Sequence, residues 1–246
     1  MITVAVSGAH GRMGSTVVQA VSAANDLELV AELDHEDEIS TDTVRGADVL
    51  VDFTVPAAAQ TNVLAGLAAG CHVVVGTTGW TPQAIDSVRQ AAVDSGRNVI
   101  IAPNFALSAV LAMHFAALAA PYFESAEVIE LHHPNKLDAP SGTAQATAKK
   151  IAEARGSAPM PDATEHDPQG TRGGLIDGVR VHALRISGLT AHEEILLGNP
   201  GELLTIRTDS FDRASFMPGV LLAIRKISQL QPLTYGLDQV MDLPGR

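Results

Sequence analysis

The strongest constraint on the fold lies at the start of the chain. Val4-Ala5-Val6-Ser7-Gly8-Ala9-His10-Gly11-Arg12-Met13-Gly14 passes from an apolar run through a glycine-rich turn into the beginning of a helix. A chain that opens this way, and keeps alternating short Val/Ile runs with helical lengths, builds βαβ units around a parallel sheet. The alternation continues. Residues 2–7, 29–33, 49–53, 72–75 and 99–102 read as strands, and 13–24, 57–69 and 82–95 as helices. Thr81 before Pro82 is the pattern of an N-cap followed by proline at the first helical position. Gly70 and Gly96 stand where helices stop.

After Phe105 the pattern changes. Residues 107–120 predict a helix ended by Pro121, 127–133 a strand and 143–155 a further helix. Residues 156–174, rich in Pro, Gly and Asp, predict an exposed loop. Three strand-like runs then follow, 179–187, 192–197 and 202–209, separated by short turns, which suggests a mostly antiparallel sheet. Residues 213–230 return to helical spacing, with Phe216, Val220, Ala223, Ile224 and Ile227 on one face. The expectation is an α/β protein of two domains. Residues 1–105 form a Rossmann-like dinucleotide-binding domain completed by 213–246, and residues 106–212 form an α+β mixed-sheet domain for substrate binding and oligomerisation.

Charge limits the partners. With a net charge of −12 the chain is a poor general ligand for nucleic acid or an anionic membrane, so anions must be bound through local positive groups. No apolar run is long enough to span a bilayer. The single cysteine, Cys71, excludes an intramolecular disulfide and suits a reducing compartment. The first six residues already read as a strand, leaving no room for a signal peptide. A cytoplasmic location is expected.

Glycines in the first turn let the backbone approach a pyrophosphate seated on a helix N-terminus. Asp34 follows the second strand, 20 residues beyond Gly14, where an acid hydrogen-bonds the adenine ribose. Arg12 can contact the pyrophosphate or the additional phosphate of NADP. Asp34 favours NADH and Arg12 permits NADPH, so both cofactors stay open. Gly76-Thr77-Thr78-Gly79 and Ala102-Pro103-Asn104-Phe105 lie at carboxyl ends of predicted parallel strands, the edge at which open α/β sheets bind ligands.

The chemistry concentrates in Glu130-Leu131-His132-His133-Pro134-Asn135-Lys136-Leu137-Asp138-Ala139-Pro140-Ser141-Gly142-Thr143-Ala144. Imidazoles move protons near neutral pH. His132 and His133, adjacent on a predicted strand, point to opposite faces and cannot share one role. Lys136 supplies a compact charge, and the Ser141-Gly142-Thr143 turn aims helix N-terminal N–H groups at an anion. The spacing matches no recognised zinc site, so no metal is expected. Cys71 reads as core, His114 as packed, and Glu193 with Glu194 as solvated strand residues. Arg207 and Asp209, alternating on one strand, can pair.

The opening glycine turn, Val51-Asp52-Phe53-Thr54, Gly76-Thr77-Thr78-Gly79, Ala102-Pro103-Asn104-Phe105 and above all residues 130–144 resemble the bacterial dihydrodipicolinate reductases, also called 4-hydroxy-tetrahydrodipicolinate reductases. The resemblance covers nearly the whole chain. It implies hydride transfer from NADH or NADPH to the cyclic dicarboxylate made by dihydrodipicolinate synthase. The product would be tetrahydrodipicolinate, on the route to diaminopimelate and lysine. It implies His132 as proton donor and acceptor, Lys136 as a second proton donor and His133 as a substrate contact, with Gly142 and Thr143 holding a substrate carboxylate. Gly8, Ala9, His10, Gly11, Arg12, Met13, Asp34, Gly76, Thr77, Thr78, Ala102, Pro103, Asn104 and Phe105 would contact the cofactor. It also implies a homotetramer. Two places depart from many relatives. Pro134-Asn135 replace a basic and a further polar residue, and His10 stands where glycine or a basic residue is frequent. Two rival readings are a different nicotinamide-dependent dehydrogenase on a similar scaffold, and a redox sensor that binds the dinucleotide without turnover. Residues 130–144 argue against the first, and the lack of a basic helix against the second.

Overall fold

A computed structural model describes residues 1–156 and 158–243. Ser157, within the predicted loop, and residues 244–246, at the end of the predicted terminal segment, lie outside the described residues. The described residues divide into two compact units, Met1–Ala106 together with 213–243, and Leu107–Asp212.

The first unit is a parallel sheet. Its strands are β1 (Ile2–Ser7), β2 (Leu27–Leu33), β3 (Val49–Asp52), β4 (His72–Val75), β5 (Val99–Ile101) and β11 (Leu233–Tyr235), in the order β11-β5-β4-β3-β1-β2. Val4, Val6, Leu50, Val74 and Ile100 are fully buried, as are Ala5, Val51, Val73, Val75 and Ile101 on the opposite face. A strand covered on both faces has no polar side to alternate with, and hence the uninterrupted Val/Ile runs. The helices α1 (Gly14–Ala23), α2 (Pro56–Ala68) and α3 (Pro82–Ser95) follow β1, β3 and β4. Thr81 caps α3 by accepting from the Ala84 N–H at 3.2 Å, and Gly96 ends that helix at φ 63°. β1 pairs with both β2 and β3, so the chain reverses its direction of travel across the sheet at β1.

The segment after Arg213 returns to this unit. Its helix α6 (Met217–Lys226) buries Val220, Ala223 and Ile224. Ile227, just beyond, accepts a hydrogen bond at its carbonyl from Asn98 Nδ2 at 2.9 Å. Gly219 is required by packing, because a Cβ there would stand 2.0 Å from the Phe105 carbonyl oxygen. β11 then adds to β5 as an edge strand. Three residues long, it gives no readable periodicity in the sequence.

The second unit carries a five-stranded sheet in the order β10-β9-β6-β8-β7. Its strands are β6 (Ser125–His132), β7 (Gly174–Ile176), β8 (Val179–Arg185), β9 (Ala191–Asn199) and β10 (Glu202–Ser210). Helices α4 (Leu107–Ala119) and α5 (Gly142–Ala154) contribute to the core of this unit, Ala112 and Ala116 from one and Ala144, Ala148 and Ile151 from the other. The sheet is mostly antiparallel, with one parallel pair, β6 and β8. The sequential strands β8 and β9 are not neighbours, since β6 lies between them. The connection crosses the end of β6, where Ile186 N–H donates to the His132 carbonyl at 3.0 Å. β7, at the edge, falls in the stretch that the sequence predicts as a loop and its junction.

If α6 belongs to the core of the first unit, Ile224→Ala should cost about 2–5 kcal/mol, the range for a fully buried large aliphatic residue. Arg225→Ala should cost far less, because the Arg225–Asp26 pair is solvent-exposed. Denaturant melts of both variants check this expectation.

Candidate active site

In the first unit, the turn after β1 and the ends of β2 and β3 enclose a cavity of about 490 Å³. Gly8, Gly11, Arg12, Met13 and Asp34 line it from one side, and Phe53, Thr54 and Asn62 from the other. The glycines have separate causes. Gly8 sits at φ +76°, a conformation costly for a side chain. A Cβ on Gly14 would stand 1.9 Å from the Gly8 carbonyl oxygen, so the turn closes onto α1 only through glycine. Gly76 is enforced by Phe53, whose ring would meet a Cβ at 2.0 Å. Phe53 in turn packs on Phe105, with ring centroids 5.7 Å apart, tying the ends of β3 and β5 together.

Asp34 follows β2 directly. Its carboxylate accepts from His35 N–H at 2.8 Å and pairs with His10 Nδ1 at 2.9 Å. The His35 N–H, then His10, hold its carboxyl below the ordinary range. His10 is thus a partner of Asp34, which gives the departure at that position a local role. Ala9 is buried, whereas His10 and Arg12 are exposed. Thr77 is buried and Thr78 exposed. Asn104 Oδ1 accepts from Ala106 N–H at 2.8 Å, and Ala102 and Phe105 are buried on either side of exposed Pro103.

Asp52 received no role from the sequence, and it organises this end of the sheet. Fully buried, it accepts from Asn62 Nδ2 at 2.8 Å, Thr54 Oγ1 at 2.9 Å and Thr77 Oγ1 at 3.2 Å. Burial pushes its carboxyl up, against the pull of those donors. A lone acid closing an otherwise apolar strand was the available signal, because a buried carboxylate needs partners.

The second unit holds the acid–base cluster. β6 ends at His132, not at His133. Pro134 has no N–H to continue a ladder, and a turn follows in which Lys136 N–H donates to the His133 carbonyl at 3.2 Å. His133 is exposed in that turn, so the placing of the two histidines on opposite strand faces does not hold. Strand alternation instead puts His132 on the face of Glu130. His132 Nδ1 lies 2.5 Å from Glu130 Oε2. An ionised carboxylate can only accept, so Nδ1 carries the hydrogen and Nε2 remains for proton exchange.

Glu130 is fully buried and fully engaged. Arg185 donates to both its oxygens, at 2.7 and 2.9 Å, and Ser141 N–H donates to Oε1 at 3.0 Å. Burial alone would raise its carboxyl, but Arg185, His132 and the Ser141 N–H together hold it below the usual range. For His132, burial lowers the imidazole and outweighs the upward pull of Glu130. Arg185 also donates to the Asp138 carbonyl at 2.7 Å, fastening the turn that carries Lys136. Glu130 and Arg185 were missed as working residues. The i, i+2 spacing of Glu130 and His132 on one strand could have found the first, but only the β6–β8 pairing brings up the second.

Ser141 is the N-cap of α5, its Oγ accepting from Ala144 N–H at 3.1 Å. Gly142 follows, exposed, with nothing within 4 Å of a Cβ built there. Lys136 Nζ is 2.8 Å from Asp138 Oδ1, so its charge is already shared with an exposed carboxylate. The structure thus brings His132, Ser141 and the start of α5 onto one carboxylate, and fixes Lys136 beside them through the Asp138 loop.

Three other sequence expectations meet the structure here. Cys71 is buried, with its thiol pushed up to about 11 by burial. Arg207 pairs with Asp209 at 3.1 Å and with Glu194 at 3.0 Å. Glu193 corrects the expectation of a solvated residue, being 4% exposed on the buried side of β9 with Ile195 and Leu197. Among the described residues, no three His, Cys, Asp or Glu are grouped to hold a metal, and no helix is long and apolar enough to cross a membrane.

A glycine-lined crevice at the point where a parallel sheet reverses its winding is where open α/β folds take dinucleotides. Fold and crevice define a Rossmann-type, dinucleotide-binding class of protein with a second, mixed-sheet unit. Comparison with known proteins narrows that class. The family described as "Dihydrodipicolinate reductase, N-terminus" matches residues 2–105, and "Dihydrodipicolinate reductase, C-terminus" matches residues 108–241. The 4-hydroxy-tetrahydrodipicolinate reductase of Beutenbergia cavernae is 63% identical, covering 98% of this chain and 99% of its own. That of Corynebacterium diphtheriae is 52% identical, covering 98% and 99%. A solved dipicolinate-bound dihydrodipicolinate reductase from Paenisporosarcina sp. TG-14 superposes with a TM-score of 0.86 at 38% identity, covering 98% of this chain and 100% of that one. The chain belongs to the dihydrodipicolinate reductase family and with it to the oxidoreductases.

Glu130→Gln should leave His132 without its anionic partner. Because Glu130 pulls the imidazole upward, its loss should move the ring titration to lower pH. The pH dependence of the His132 ring signals in wild type and variant measures the shift; a midpoint that stays in place would remove Glu130 as the partner.

Proposed function

We propose that this chain reduces the cyclic dicarboxylate product of dihydrodipicolinate synthase to tetrahydrodipicolinate, using NADH or NADPH, in diaminopimelate and lysine biosynthesis. The observation that carries the reading is the double use of Glu130. One buried carboxylate orients the His132 imidazole and, through Ser141 N–H, the N-terminus of α5. A proton donor and an anion-binding helix start are therefore held as one piece. Membership of a family whose relatives are named for this reduction supports it, as does the description of the Paenisporosarcina enzyme as dipicolinate-bound.

A dinucleotide fits the residues of the first unit. The Gly8 and Gly11 backbone, Arg12 and Met13 would receive the pyrophosphate, and Asp34 the adenine ribose. Ala9 and His10 complete that turn. Gly76, Thr77 and Thr78, held by Phe53 and Asp52, and Ala102, Pro103, Asn104 and Phe105 would receive the nicotinamide end. The cofactor supplies hydride to the conjugated C=C–C=N system of the substrate.

The remaining chemistry belongs to the second unit. Hydride addition leaves an enamine, and His132 Nε2 delivers the proton to its carbon, which restores the C=N bond that tetrahydrodipicolinate retains. Glu130 stabilises the imidazolium before the transfer and holds the ring afterwards. The N–H groups of Gly142 and Thr143 bind one substrate carboxylate, and the open position of Gly142 lets the ligand approach closely. Lys136 exchanges part of its contact with Asp138 for the substrate and assists proton delivery, while His133 contacts the ligand from the turn. The second unit is also assigned the subunit contacts of a homotetramer, and the enzyme is placed in the cytoplasm.

Consumption of NADH on addition of the synthase product is the primary test. Replacing His132 by Gln should lower kcat about 10²-fold or more, the scale of a lost general acid, with NADH affinity nearly unchanged. Full turnover by that variant at neutral pH would end the proton-donor role. Cofactor choice has its own test. Asp34 repels an added phosphate and exposed Arg12 tolerates one, so NADH should serve at least as well as NADPH. Asp34→Ala should move the preference toward NADPH. Titration of both cofactors against both proteins reads this, and an unchanged ratio means that Asp34 does not face the ribose.

A further inference from the structure

Glu193 stands directly opposite Glu130 in the antiparallel β6–β9 pair. Both side chains are buried, and carboxyls at opposed positions of a sheet start from Cβ atoms about 4.5–5.5 Å apart. Their surroundings differ. Glu130 has a guanidinium, an imidazole and a backbone N–H. Among the described residues Glu193 has a single neutral partner, the Thr147 hydroxyl of α5, which donates to Oε1 at 2.7 Å, and its buried Oε2 has none.

Among the described residues, no cation compensates Glu193 from the other elements on this side. β10 places Thr208 opposite it, and the Thr208 hydroxyl donates to Ser108 of α4 at 2.8 Å. α5 faces the sheet with Ala144, Thr147, Ala148 and Ile151. The charged groups next to Glu193 are Glu130 and, beyond it, Arg185 and His132. Arg185 is already occupied by both Glu130 oxygens and by the carbonyls of Leu184 and Asp138. A second buried anion here would be half-solvated by the protein and repelled by the first.

We propose that Glu193 is a positioning residue for the proton donor: it rests as a neutral carboxylic acid beside ionised Glu130, so that one negative charge, not two, backs His132. This rests on the reading of His132 as the acid. The same burial, reinforced by Glu130 and opposed by Thr147, pushes the Glu193 carboxyl up to about 7. Its ionisation therefore falls where an imidazole titrates. A new negative charge near an imidazole favours the protonated ring. Above that point His132 should hold its proton more tightly and become a weaker donor. Linked titrations of this kind show as two steps in the signal of one group.

The test is a titration of the His132 ring signals in the full chain without ligand, from about pH 5 to about pH 9. The signals are assigned by their loss in His132→Gln. Wild type should show a second inflection near pH 7. Glu193→Gln, which keeps shape and neutrality, should show one step only. Thr147→Val removes the bond that favours the carboxylate, so the second inflection should move upward. Identical curves for wild type and Glu193→Gln overturn the proposal. If Glu193→Gln does not fold, Thr147→Val decides alone, and an unmoved second inflection overturns it. A residue with a purely structural role would change the melting temperature and leave the ring titration in place. The catalytic reading fails separately: an active His132→Gln enzyme with two-step behaviour in wild type rejects the acid and keeps the coupling, and an inactive one with single-step behaviour does the reverse.

Discussion

One buried carboxylate, Glu130, holds the second unit's site together. A charge out of water is tolerated only when its lone pairs are met, and Glu130 meets them with Arg185, His132 and the Ser141 N–H. Each partner brings something different. Arg185 balances the charge and fastens the Asp138 loop, His132 becomes a ring of fixed tautomer, and Ser141 fixes where α5 begins. Removing the carboxylate would free all three at once. The His132 ring and the start of α5 are thus both positioned by a residue with no solvent exposure.

The first unit relies on the opposite device, the absence of side chains. Gly8 turns the backbone at positive φ, and Gly14 lets α1 close against that turn. Gly76 is small for a reason that its sequence context hides. The Phe53 ring fills the space above it, and Phe53 also packs on Phe105. Asp52 then anchors Thr54, Asn62 and Thr77 from below. The mouth of the crevice is therefore shaped by packing and one buried hydrogen-bonded acid, before any ligand is considered.

How much of this was legible in the sequence follows from the range of the interactions. The central strands of the parallel sheet were readable because burial on both faces leaves continuous apolar runs, and the Thr81-Pro82 start of α3 because capping is local. β7 and β11 were not, since three-residue edge strands carry no period. The insertion of β6 between β8 and β9 was also hidden, as short turns normally join neighbours. Among the site residues, the 130–144 cluster showed the chemistry, while the Arg185 contact with Glu130 needed the β6–β8 pairing. Glu193 misled for a simple reason. Two adjacent acids read as a wet surface, yet alternation sends one of them under the helices.

If, as proposed, His132 is the proton donor and the start of α5 the carboxylate site, Glu130 makes the two a single unit. The most direct test is a titration of isotope-labelled protein, with NADH present, against dipicolinate, following the Gly142 and Thr143 amides and the His132 ring. All three should respond with one common affinity. Saturable binding that leaves the Gly142 and Thr143 amides unmoved would place the dicarboxylate elsewhere and contradict the account.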